Sequence, residues 1–156
     1  MESKVAPWKL RGGIWGKMYT GIMRKFFIAY RHTGENILEL EQRINTIDLA
    51  LAAKGIKSYA TLSEEHEFQQ NNTSVGQIME KAFQKISAMD GLFVLIAGDD
   101  KSEGQLMEVG FALALKKPVI VARKAGSKTY VHELTNLSFE YEDLSDLSKK
   151  IQELQI

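Results

Sequence analysis

Three apolar runs, FFIA at 26–29, GLFVLIA at 91–97 and PVIVA at 118–122, are separated by stretches striped at helical spacing, and this alternation constrains the fold more than any other feature. Continuous apolar runs of this length suit strands covered on both faces, as in parallel sheets. The intervening stretches carry helix punctuation. Asn36 with Glu39 three residues on opens a helix along Ile37, Leu40, Ile44, Ile47 and Leu51, and Gly55 ends it. Ser74 with Gln77 opens a second helix along Val75, Ile78, Met79, Ala82 and Ile86, stopping near Asp90. A last helix carries Leu144, Leu147, Ile151 and Leu154 on one side. Shorter strands are expected at 56–60 and 138–141, and TLSEEHEFQQNNT (61–73) reads as a polar loop that could act as a lid. With right-handed crossovers, the expected architecture is an α/β three-layer sandwich around a mainly parallel five-stranded sheet, with 91–97 at its centre.

The stretch SEGQLMEVGFALALKKPVIVAR (102–123) is the most distinctive. Ser102 and Gln105 match a capping box, placing Glu108 in the second turn of a helix. Leu106, Val109, Gly110 and Leu113 fall on one face, while Met107, Phe111 and Ala114 cover much of the rest, so burial on more than one side is expected. Glu108 then either looks into a cleft or occupies the small exposed sector left over. Ligands of such sheets bind beyond the carboxyl ends of the strands. That rule selects Tyr30, Arg31, His32 and Gly34 after the first strand, Gly98, Asp99, Ser102 and Gly104 after the central one, and Arg123 with AGSKT after the fourth. Plainer roles stand beside these: Arg31 pairing with Glu35, Ser102 capping its helix, Gly104 and Gly110 allowing close packing. Asp99 and Asp100 resemble a metal pair, but adjacent acids at a loop tip are ordinary turn residues.

Composition narrows the classes of function. A chain of 156 residues, 44% hydrophobic and 26% charged, has the makings of one globular domain. Lysine plus arginine and aspartate plus glutamate both number 20, so nothing points to nucleic acid or an anionic membrane as partner. With no cysteine there is no disulfide framework, thiolate metal site or cysteine nucleophile, and a cytoplasmic setting is expected. His32, His66 and His132 are too widely spaced for a zinc motif. No apolar run approaches a membrane span, and no secretory signal is evident. Residues 1–22 mix Trp8, Trp15 and Tyr19 with glycines and basic residues without a period. They read as a disordered or adventitious extension, or else an arm on a partner subunit, ahead of a single domain over 23–156.

The order of strand, AYRHTGE, helix, central apolar strand, then S-x-G-x-x-x-E-x-G and A-x-A-x-x-K-P-V-I resembles the nucleoside 2-deoxyribosyltransferase family, nearest its nucleoside 5'-monophosphate N-glycosidase branch. The resemblance runs from about residue 24 to 150, with its specific part between Ser102 and Ile120. It implies a flavodoxin-like, Rossmann-like fold and a homodimer or larger assembly. It also implies cleavage of the N-glycosidic bond of a nucleoside or its 5'-monophosphate, without metal or cofactor. Carried over, Glu108 is the nucleophile on the anomeric carbon, and water (hydrolase) or another base (transferase) resolves the glycosyl ester. Ser102 matches the serine of the nucleotide-cleaving branch, and Arg31 with its glycine-containing loop matches the segment holding phosphate and sugar. The family's helper aspartate position reads Ala82, which leaves Glu64, Glu65, Glu67, Asp99 or Asp100 to take that role. The alternative is a nucleotide-binding sensor or scaffold without catalysis. An FMN-type flavodoxin fits less well, because RHTGE is no Ser/Thr-rich phosphate cradle.

Overall fold

The computed structural model describes residues 24–135 and 137–156; the extension expected at 1–22 lies outside the described residues. In chain order the elements are β1 (Arg24–Ala29), α1 (Ile37–Ala52), β2 (Ile56–Tyr59), α2 (Glu65–Gln70), α3 (Val75–Ala88), β3 (Gly91–Ile96), α4 (Glu103–Ala114), β4 (Val119–Lys124), β5 (Leu137–Tyr141) and α5 (Leu144–Glu153). Short 3-10 turns span Thr61–Glu64 and Val131–Leu134. The strands form one sheet in the order β2-β1-β3-β4-β5, and every neighbouring pair is parallel. This is the flavodoxin-like, three-layer α/β arrangement.

Alternate residues of each strand feed opposite layers, as the pleat requires. Phe26, Ile28, Phe93, Leu95, Ile120 and Ala122 pack with Leu40, Ile47 and Leu51 of α1 and with Leu147 and Ile151 of α5. Phe27, Ala29, Leu92, Val94, Val119 and Val121 pack with Ala82 and Ile86 of α3 and with Val109 and Ala112 of α4. β3 has a strand on either side and helices on both faces, so all six of its residues are buried. Its unbroken apolar run is the sequence record of that position. Each large side chain so buried contributes about 1.5–3 kcal/mol relative to exposure.

Two expectations change. The 61–73 stretch is not an open loop: it forms the Thr61–Glu64 turn and then α2. Phe68 is the reason, because this single aromatic is buried under the Lys81 ammonium, 5.3 Å from its ring centre. Beyond it the chain turns at Asn72, where φ is 48° and Thr73 N donates to the Phe68 carbonyl at 2.9 Å. α4, in turn, is less fully covered than expected, although Phe111 stacks on Phe83 of α3 with ring centres 4.7 Å apart. Gln105, Val109 and Ala112 face inward, whereas Leu106 and Met107 are exposed. Within one chain the sheet and α3 cover that helix, and its remaining side faces outward. Strand β4 also runs further than its apolar core, since Arg123 and Lys124 pair with Glu140 and Tyr141 of β5.

Candidate active site at the carboxyl edge of β1 and β3

Because β1 and β3 are neighbours, with Ala29 opposite Val94, the segments leaving their carboxyl ends lie side by side. Gln105 joins the two. Its side-chain amide, 4% exposed, donates to the carbonyls of Ala29 at 3.1 Å and Leu95 at 2.7 Å. Ser102 caps α4 by accepting from Gln105 N at 3.2 Å, but the reciprocal bond of a capping box is not made, because the glutamine side chain is spent on the sheet. At α3 the same sequence pattern gives the full box between Ser74 and Gln77. α4 is therefore pinned to the strand ends by its first turn, and Glu108 follows one turn later on the same face.

Glu108 is largely shielded from water, and its Oε2 is buried without a hydrogen-bond partner among the described residues. Burial alone raises its carboxyl to about 8, far above the usual carboxylate range. Tyr30 lies close by. Burial pushes its hydroxyl well above the ordinary tyrosine range; a bond with Thr61 opposes this, and the nearby carboxylates of Glu65, Glu108 and Glu64 reinforce it. The Tyr30 hydroxyl and Thr61 Oγ1 are 2.9 Å apart, which ties the 3-10 turn to the strand end. His32 Nδ1 stands 3.8 Å from Glu65 Oε1. Tyr59 donates to Glu64 Oε2 at 2.5 Å, and Lys81 Nζ lies 3.1 Å from the same oxygen. Burial works against the charge of Glu64, but these partners prevail and hold its carboxyl below the usual range.

The other residues singled out from sequence take up places around this group. Arg31 Nη1 donates to Glu35 Oε1 at 2.8 Å and stands 3.6 Å from Asp100 Oδ2, linking the loops after β1 and β3. Gly34 has φ +80°, and a Cβ there would come 2.9 Å from Arg31 Nη2. Glycine thus meets both the left-handed turn and the close approach of the guanidinium. Gly98, Asp99 and Ser102 line a narrow crevice under residues 128–131, with Asp99 Oδ1 accepting from Lys128 N at 2.6 Å. Gly104 faces α3, where a Cβ would be 3.3 Å from Met79 Sδ. The structure thus sets Tyr30 near enough to Glu108 for their charges to interact, pairs His32 with Glu65 and Arg31 with Glu35 and Asp100 on the neighbouring loops, and puts Gly98 and Asp99 beside residues 128–131. Ala82 is 2% exposed and packed within the core.

Gln105 and Thr61 were missed as site residues. Gln105 carried a signal that pointed elsewhere, to its cap, and Thr61 carried only its place directly after a strand. A separate cleft of about 320 Å³, lined by Ile28, Asn45, Asp48, Ser58 and Leu62 among others, lies between α1 and β2 and does not include Glu108. Among the described residues, no three His, Cys, Asp or Glu side chains are grouped to hold a metal ion, and no helix is long and apolar enough to cross a membrane.

Residues 38–146 match the family model described as nucleoside 2-deoxyribosyltransferase. Solved structures share the fold. The CMP N-glycosidase BcmB of Clostridium botulinum matches with TM-score 0.60 at 20% identity, over 82% of this chain and 98% of that one. A conserved protein of Enterococcus faecalis V583 matches with TM-score 0.60 at 17% identity, over 84% and 98%. A 2-deoxyribosyltransferase of Bacillus psychrosaccharolyticus matches with TM-score 0.56 at 18% identity, over 80% and 90%. Comparison with curated proteins gives no match.

Proposed function

The chain belongs to the nucleoside 2-deoxyribosyltransferase family, and from that premise we propose that it breaks the N-glycosidic bond of a nucleoside or nucleoside 5'-monophosphate with Glu108 as nucleophile. The observation that carries this reading is the Glu108 carboxyl itself, enclosed at the strand-end edge near Tyr30 with Oε2 lacking a partner among the described residues. Departure of the base builds positive charge at C1'. A carboxylate beneath that carbon stabilises the charge and traps it as a glycosyl ester, which water or a second base then resolves. A carboxyl near pKa 8 is mostly neutral at rest, and charge gathering on the sugar ring favours its ionisation.

The remaining roles follow from position. Asp100 is 82% exposed at 3.6 Å from Arg31, so a 5'-phosphate can take its place on the guanidinium, aided by the free N–H groups at the start of α4. Tyr30 and Gly34 flank the sugar, His32 stands toward the base, and Gly98, Asp99, Ser102 and Gly104 form the opposite rim. The chemistry needs neither metal nor cofactor. The outward side of α4 presents Leu106 and Met107, and Tyr130 beside Leu106 is 58% exposed, a surface that suits a second copy of the chain in a homodimer. A cysteine-free chain of balanced charge suits the cytoplasm, the setting proposed here.

The test is release of free base from a panel of nucleosides and nucleotides. CMP comes first, since the botulinum protein of this fold is a CMP N-glycosidase. Glu108→Ala is expected to abolish release while leaving the circular dichroism spectrum unchanged. Ala82, buried where the family keeps an acid, favours a second reading, a nucleotide-binding scaffold. Calorimetric binding of CMP with no base released by wild type over a long incubation selects the scaffold.

A further inference from the structure

We propose that His32, oriented by Glu65, supplies the proton that the leaving base takes as the glycosidic bond breaks. This rests on the reading of Glu108 as nucleophile. A departing heterocycle is a poor anion, and a positioned acid lowers its barrier. Ala82 cannot provide one. Of the acids near the edge, Glu64 is fixed in its charged form by Tyr59 and Lys81. Asp99 is turned to Lys128 N, Asp100 is directed at Arg31, and Glu67 is exposed on α2.

His32 and Glu65 remain, and their surroundings suit the task. Imidazole is the side chain that exchanges a proton most readily near neutrality. Glu65 Oε1 stands 3.8 Å from Nδ1, so in this inference Nδ1 turns to Glu65 and Nε2 is the nitrogen that serves the ligand. The two side chains are 33% and 26% exposed, open enough for a base to reach yet shielded enough to be held in place. Both are tethered to Glu108's neighbour: His32 lies two residues beyond Tyr30, and the turn leading into Glu65 is bonded to the Tyr30 hydroxyl through Thr61.

In the first step the C1'–N bond breaks, its electron pair stays on nitrogen, and that nitrogen takes the His32 proton while Glu108 bonds to C1'. In the second, water adds to C1', Glu108 leaves as carboxylate, and the water's proton returns to His32. The reacting form holds one proton between Glu108 and His32, the same count as a neutral carboxyl beside a neutral imidazole.

The experiment compares wild type, His32→Ala and Glu65→Gln on CMP and on a 4-nitrophenyl riboside 5'-phosphate, whose leaving group departs without a proton. Thermal unfolding confirms that each variant is folded. The expected result is a fall in kcat of roughly 100-fold or more on CMP for His32→Ala, a smaller fall for Glu65→Gln, and near-wild-type rates on the nitrophenyl substrate. Equal losses on both substrates make His32 a sugar-positioning residue and overturn the inference, as does full activity of His32→Ala on CMP. In either case the nucleophile reading survives. A wild type inactive on both substrates overturns that reading and this inference with it.

Discussion

A carboxyl group withdrawn from water stays protonated until another group balances its charge, and in Glu108 this couples folding to pH. The unfolded chain loses the proton near 4.5 and the folded chain near 8, so between these values the native state holds more protons than the unfolded one. Stability therefore falls as pH rises through that window, by at most about 1.4 kcal/mol per pH unit. Glu108→Gln removes the dependence. It is expected to match wild type near pH 4 and to become progressively the more stable of the two up to pH 8, measured by urea unfolding at a series of pH values. Equal pH slopes for the two proteins refute the assignment. At this scale the sequence was informative where local spacing decides position, as for Glu108 on its helix and Ser102 at the cap. It was uninformative for Gln105, because a pattern of neighbours along one helix contains nothing about the carbonyls of two strands beneath it.

Among the elements, α4 shows how one side chain can trade a local bond for a tertiary one. By leaving its cap unreciprocated, Gln105 joins β1, β3 and the helix that carries Glu108. Gln105→Leu keeps the bulk and removes both donors. Loss of the pair is expected to lower stability by about 1–3 kcal/mol in chemical denaturation and to reduce base release, since the helix that carries Glu108 is then held less firmly at the strand ends. Unchanged stability would show that the strand ends do not depend on this amide. The strands and most helices were legible because apolar period and punctuation agree there. The 61–73 segment was not, since its polar composition hides the fact that one buried aromatic, Phe68, is enough to organise a turn and a short helix.

For the molecule as a whole, the alternation of strand and helix made the three layers and the central place of residues 91–97 legible. What alternation leaves open is how many chains make the working unit. α4 is more apolar than one chain can cover, and the excess lies outward at Leu106 and Met107. Changing both to aspartate places two charges on that side without touching the core. Sedimentation is expected to show a smaller species than wild type; identical sedimentation of the two proteins counts against a dimer through this surface.

The methyl group of Ala82 seals a spot on α3 that is closed on all sides by the hydrophobic interior. Placing an acid there would force a charge into oil, so that route is barred to simple exchange. In the reading proposed above the proton comes instead from His32, in the loop after β1, where side chains can change without disturbing the interior. A designer wishing to alter which heterocycles depart can therefore work on a few rim positions and leave the scaffold untouched.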